Sequence, residues 1–161
     1  AKLEKAFGSN LMLVTQNVDD LHERGGSQSV YHMHGKLLSA RCAISQQTFD
    51  WSDSFDHTTK CPCCNRVTLR PDIVWFGEMP MYMEEIYDAL SKADVFIAIG
   101  TSGNVYPAAG FVQIAKESGA HTIEANLAPG VTNALFDESL TGPASHIVPQ
   151  WVDQLMSKYA L

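Results

Sequence analysis

Asp94-Val-Phe-Ile-Ala-Ile-Gly100 holds an unbroken apolar run, Val95 to Ile99, that stops on a glycine. A strand without polar alternation is the signature of a strand covered on both faces, as in a parallel sheet. Upstream of it, Met81 to Ala93 places Met83, Ile86, Tyr87 and Leu90 on one helical face. Downstream, Pro107 to Ser118 reads as a second helix, with Pro107 suited to its first turn and Gly119 to its stop. Ala120-His-Thr-Ile-Glu-Ala-Asn126 reads as the next strand and Ser145-His-Ile-Val148 as another, before a terminal amphipathic helix from Pro149 to Tyr159. Strands alternating with helices of this length imply βαβ units and a Rossmann-like parallel sheet of the α/β class.

Working back toward the first residue, Leu11-Met-Leu-Val-Thr15 is a short buried-strand pattern that exits into polar Gln16-Asn-Val-Asp19. Asp20 to Arg24 makes one turn of helix before Gly25-Gly26 ends it, and Leu37 to Arg41 and Ile73 to Phe76 read as strands. In parallel sheets ligands bind beyond the carboxyl ends of the strands. The polar exits Gln16–Asp19, Gly100–Gly103 and Asn126–Ala128 are therefore expected to converge on a nucleotide cleft. Between Cys42 and Leu69 apolar content falls and Ser, Thr, Asp and Cys dominate. Residues 39–69 are expected to form a small module tied by metal, set into a Rossmann-like domain of residues 1–38 and 70–161.

Composition narrows the function classes. The formal charge of -7 argues against a general nucleic-acid surface, which needs a basic footprint. It also suits weak, screened attraction of lysine-rich protein segments. The run from Val95 to Ile99 is too short to span a bilayer, and no signal-like segment opens the sequence, so no membrane partner and a cytoplasmic location are expected. Cys42, Cys61, Cys63 and Cys64 are too tightly clustered for a secreted disulfide framework and read first as a metal site. Against the zinc pattern C-x2-C-x15-20-C-x2-C, the spacing here is Cys42-x2-Ser45-x15-Cys61-x2-Cys64. One expected thiol is thus Ser45, with Cys63 as a possible fourth ligand and His57 a remoter one. A degenerate, metal-free module is the competing reading.

Five blocks in order carry a resemblance to a known family. They are Thr15-Gln-Asn-Val-Asp-Asp-Leu-His22, Tyr31-His-Met-His-Gly35, Leu69-Arg-Pro-Asp-Ile-Val-Trp-Phe-Gly-Glu78, Gly100-Thr-Ser-Gly103 with Val105-Tyr-Pro-Ala108, and Asn126 at a late strand end. Together they resemble the sirtuins, and most of all the bacterial CobB-type branch. Arg24-Gly-Gly26 stands where the family usually has R/K-A-G. The family's opening glycine-rich GAGxSxxSGIPxFR segment has no match in residues 1–10, so the sequence is expected to lack the first strand and the phosphate loop.

The resemblance implies an NAD-dependent protein-lysine deacylase, a deacetylase or desuccinylase, that releases nicotinamide and O-acyl-ADP-ribose from NAD and acylated lysines. His34 matches the base, and imidazole suits that work because its ordinary pKa lies near operating pH. Asn17 and Asp19 complete the catalytic set. Gln16, Asn17, Val18 and Asp19 match contacts to the nicotinamide ribose, while Gly100, Thr101 and Ser102 match the second nucleotide turn. Asn126, Leu127, Ala128 and Ala144 match adenosine-side contacts. Val74, Phe76, Gly77 and Glu78 with Gly103, Asn104, Val105 and Tyr106 match the segments that hold substrate as an added strand. Structural zinc would sit on Cys42, Cys61 and Cys64 with Cys63. Two other readings stay open: a non-catalytic zinc- and nucleotide-binding interaction module, and an NAD-dependent protein ADP-ribosyltransferase.

Overall fold

The computed structural model describes residues 1–159. Its backbone divides into two units, one of Ala1 with Ser9–Met83, the other of Lys2–Gly8 with the chain from Glu84 onward.

In the second unit β6 (Val95–Ile99), β7 (His121–Asn126) and β8 (Glu138–Thr141) form a parallel sheet in that order. Parallel neighbours need a crossover, and α4 (Phe111–Glu117), entered through the 3-10 turn Ala108–Gly110, supplies the one between β6 and β7. Phe111, Val112 and Ala115 of α4 are buried, as are Thr122 to Ala125 of β7. The expected face of α3 (Met83–Lys92) goes inward through Ile86 and Leu90, and Tyr87 meets Phe111 edge-on with ring centres 6.1 Å apart. Each large apolar side chain buried this way stabilises the fold by roughly 1.5–3 kcal/mol before conformational entropy is counted.

Two expectations are corrected here. β6 is not covered on both faces: Val95 and Ile99 are exposed and the residues between them half-buried. Among the described residues it pairs with β7 alone, and the strand with a buried middle, Thr122 to Ala125, is the central one. Ser145 to Val148 is not a strand but the start of α5 (Ala144–Lys158), and the last strand of the sheet is β8. Ile147 and Val148 open a half-buried stripe that continues through Trp151, Val152, Leu155 and Met156, which is helical spacing. Pro143 fixes the entry, and its carbonyl accepts from the N–H groups of His146 and Ile147. α1 (Lys2–Phe7) belongs to the same unit, where Phe7 packs edge-on against Tyr159 at 5.9 Å.

In the first unit β1 (Leu13–Thr15) pairs in parallel with β2 (Val30–His32), with α2 (Leu21–Arg24) between them in sequence. β3 (Gly35–Cys42) is the centre of an antiparallel sheet flanked by β4 (Thr48–Asp50) and β5 (Leu69–Ile73). The strand expected over Ile73 to Phe76 ends at Ile73, because the chain then turns with Glu78 N–H donating to the Trp75 carbonyl at 2.9 Å. Gly35 opposes Ile73 in this sheet at φ +88°. A Cβ there would lie 2.0 Å from the Asp72 carbonyl oxygen, so the two backbones meet this closely only because residue 35 is glycine.

Candidate active site and thiol cluster

The turn leaving β1 is braced along its whole length. Asn17 N–H donates to Thr15 Oγ1 at 3.1 Å, the Val18 carbonyl accepts from Leu37 N–H at 2.7 Å, and Asp19 Oδ1 accepts from Leu21 N–H at 3.1 Å. That last bond is an Asx turn just ahead of α2, a usual task for aspartate at a strand-to-helix turn. His34 lies two residues past the end of β2, and its Nδ1 lies 3.0 Å from the Gln16 carbonyl oxygen. A carbonyl can only accept, so Nδ1 carries the proton, which in the neutral ring puts the lone pair on Nε2. This is the tautomer a general base needs. The structure therefore brings His34 together with Gln16, Asn17, Val18 and Asp19.

The segment after β5 is tied to the same place through its backbone. Val74 N–H donates to the His34 carbonyl at 2.9 Å. Phe76 is wholly exposed and Gly77 turns at φ +92°. Glu78 grips Arg70 with both oxygens, at 2.6 and 2.8 Å, and accepts Trp75 N–H at 3.0 Å. These bonds, that to Arg70 foremost, draw its carboxyl down to about 2. The Glu78 carboxylate thus closes the Val74–Glu78 turn.

In the second unit the exits of β6 and β7 are stitched to each other. Asn126 donates through Nδ2 to the Thr101 carbonyl at 2.8 Å and accepts Leu127 N–H through Oδ1 at 2.9 Å. Val131 N–H approaches the Ser102 carbonyl at 3.4 Å, and Gly142 N–H donates to the Asn126 carbonyl at 3.0 Å, just before Ala144 opens α5. Gly100, Thr101 and Ser102 are thus gathered with Asn126, Leu127, Ala128 and Ala144. Leu127 and Tyr106 are strongly exposed, as are Asn104 and Val105, while Gly103 turns at φ +69° under the Thr132 side chain. Of the three exits expected to converge, the fold joins two in one sheet. β1 belongs to a separate two-stranded sheet.

Three polar side chains escaped the sequence reading. Glu124, buried in the middle of β7, accepts from Gly130 N–H at 3.0 Å and from Asn133 Nδ2 at 2.5 Å, which secures the loop after Ala128. His32 is buried against Glu23. The one available signal was a lone carboxylate inside the apolar strand Thr122-Ile-Glu-Ala125, since an acid is rarely buried without partners.

The four thiols come together as expected, with ligand atoms all within 4.8 Å of one another. Cys61 and Cys63 sulfurs are 3.3 Å apart, and Cys42 and Cys64 sulfurs 4.0 Å. Tetrahedral zinc with bonds of about 2.3 Å sets its sulfurs about 3.8 Å apart, so the cluster has the dimensions to hold one ion. Ser45, where the spacing called for a thiol, places its hydroxyl 3.3 Å from Cys63 Sγ. Hydrogen bonds from Ser45, then from Thr68, draw Cys42 down to about 5. Ser45 also pulls Cys63 down, but its bond with Cys61, desolvation and Cys42 together push that thiol up to about 11. His57 is exposed and is not among the clustered ligands.

Comparison with known proteins supplies the family. Residues 1–107 match the Sir2 family. Proteins named NAD-dependent protein deacylase from Salmonella typhimurium and Shigella flexneri are 55% and 57% identical over 157 residues, which is 97% of this chain. The chain spans 58% of the length of each. Among solved structures, a Sir2 homologue in complex with ADP-ribose superposes with a TM-score of 0.87 at 36% identity, over 99% of this chain and 65% of that one. Another Sir2 structure, bound to a myristoylated histone peptide, gives 0.75 at 30% identity over 92% and 66%. With its blocks in family order and this fold beneath them, the chain belongs to the Sir2 family.

Proposed function

We propose that this chain carries the base and the nicotinamide-ribose contacts of an NAD-dependent protein-lysine deacylase. The observation that supports the reading is the His34 ring, whose Nδ1–H is spent on the carbonyl of Gln16, the residue that opens the Gln16–Asp19 turn, so that in the neutral ring Nε2 is free to act as base. NAD, when bound, supplies the ribose carbon that accepts the acyl oxygen. His34 would take the proton of a ribose hydroxyl, and Asp19 would orient the leaving amide with the carboxylate oxygen that does not accept from Leu21 N–H. Gln16, Asn17 and Val18 would hold the ribose. Gly100, Thr101 and Ser102, with Asn126, Leu127, Ala128 and Ala144, would serve phosphate and adenosine.

Val74, Phe76, Gly77 and Glu78 and the segment Gly103, Asn104, Val105 and Tyr106 would pair with an extended acyl-lysine peptide. Main-chain pairing tolerates many sequences, which suits protein substrates at large. The acidic charge supports peptides rich in lysine and disfavours nucleic acid. Zinc on Cys42, Cys61, Cys63 and Cys64 would be structural, since four thiols complete its coordination and leave no open position. This reading keeps residues 39–69 as the zinc module and 1–38 with 70–161 as the NAD-binding domain. It places the protein in the cytoplasm, and no helix among the described residues is long and apolar enough to cross a membrane.

The test is to incubate the protein carrying this sequence with NAD and an acetyl-lysine peptide. Nicotinamide and O-acetyl-ADP-ribose are the expected products, whereas label moved from NAD onto protein would mark an ADP-ribosyltransferase instead. His34→Ala is expected to lower turnover on the order of 10²–10⁴-fold while peptide affinity holds, in line with loss of a general base. Turnover that survives within a few-fold would remove His34 from the role.

A further inference from the structure

His32 is 2% exposed and carries both ring nitrogens against acceptors. Nε2 lies 2.8 Å from Glu23 Oε1, and Nδ1 lies 3.3 Å from the Asn17 carbonyl oxygen. Neither a carboxylate nor a carbonyl donates, so the ring satisfies both only with a proton on each nitrogen. The pair is a poor device for stability alone. With His32 buried and the Glu23 side chain 35% exposed, a charged pair here gains little net of its desolvation, and the second oxygen of Glu23 is buried with no hydrogen-bond partner among the described residues.

Its placement says more. The Gln16 carbonyl, held by His34, belongs to the peptide plane before the Asn17 Cα. The Asn17 carbonyl, held by His32, belongs to the plane after it. A residue has two soft backbone angles, and fixing the planes on either side fixes both. Asn17 itself is exposed, and two histidines hold the carbonyls before and after its Cα.

We propose that the His32–Glu23 pair is a positioning device which, with His34, sets both peptide planes around Asn17 and thereby aims the Asn17 amide at the ribose of NAD. The inference rests on the NAD-binding reading above. Glu23 anchors the ring from α2, His32 transmits the constraint, and Asn17 makes the contact.

NAD affinity of the protein carrying this sequence, measured by calorimetry without peptide, tests it apart from turnover. His32→Gln and Glu23→Gln are each expected to weaken NAD on the order of tenfold, the usual scale for a supporting residue behind a contact. The pair acts through Asn17, so in an Asn17→Ala background His32→Gln should cost nothing further. A purely structural role would lower the melting temperature equally in both backgrounds and would keep its full effect on affinity beside Asn17→Ala. NAD affinity unchanged by both single variants, or a full His32→Gln effect persisting in that background, overturns the inference. If His32→Gln does not fold, Glu23→Gln carries the same cycle. A parent that binds NAD but releases no nicotinamide from acyl peptide overturns the deacylase reading alone; one that binds no NAD overturns both.

Discussion

The cysteine module and the sheet β6–β7–β8 keep their shapes by different means. Between residues 42 and 69 the buried side chains are Cys42 and Cys61 and no others. In the sheet unit Ile86, Leu90, Phe111, Val112, Ile123 and Ala125 are all buried, and the polar groups within, Thr122 and Glu124, are fully paired. One region is held by sulfur and turns, the other by packing. A segment with too little apolar surface to exclude water needs a strong local bond, and a thiol cage is the compact way to supply one.

The widest gap between the two regions should appear when the cage is opened. A chelator, or Cys61→Ser, is expected to remove amide-exchange protection from residues 42–69 while β7 stays protected, because structural zinc contributes on the order of 10 kcal/mol to such modules. Unchanged exchange in the module would mean that the thiols hold no metal. Breaking the other region takes a void. Ile86→Ala should lower stability by about 2–5 kcal/mol in chemical denaturation, as loss of a large buried aliphatic side chain does.

A smaller effect sharpens the contrast inside the sheet. Glu124→Gln swaps one acceptor oxygen for a donor that faces Gly130 N–H and the Asn133 amide, and should cost about 1–3 kcal/mol. A melting temperature unchanged by that swap would mean the loop does not depend on the carboxylate. The smallest effect is set by pH. Glu78, drawn to about 2 by Arg70 and then by Trp75 N–H, is held below its ordinary value of 4.5. Its contribution is full above pH 4.5 and is lost as pH falls through 2. Between those limits acid should loosen the Val74–Glu78 turn, seen as a change in fluorescence of the exposed Trp75, and Glu78→Gln should abolish that change.

How much could be read in advance follows the same division. α3 was legible from its helical spacing, α4 from Pro107 and Gly119 at its ends, and β6 and β7 from apolar runs of strand length bounded by turn residues. β2 and β4, three residues each, carry too few positions to show one. Ile147 and Val148 misled because a β-branched pair looks like a strand until the stripe through Trp151 and Leu155 is counted with it. At the site, the Gln16–Asp19 turn and His34 were legible from their motif, and the thiols from their spacing. The partner of Glu23 was not, because it is a ring nine residues on that also reaches back to the Asn17 carbonyl. Glu78 drew attention as part of a motif, yet only coordinates reveal that its oxygens are committed to Arg70.

Gly35 carries a lesson for mutational scans of this region. Because the Asp72 carbonyl occupies the space a methyl group would need, substitutions at position 35 will be depleted even when cells are selected only for soluble protein. Intolerance there reports steric exclusion, and its neighbourhood with His34 lends it no catalytic meaning. Screens that rank positions by tolerance alone will therefore score the two residues alike for unrelated causes.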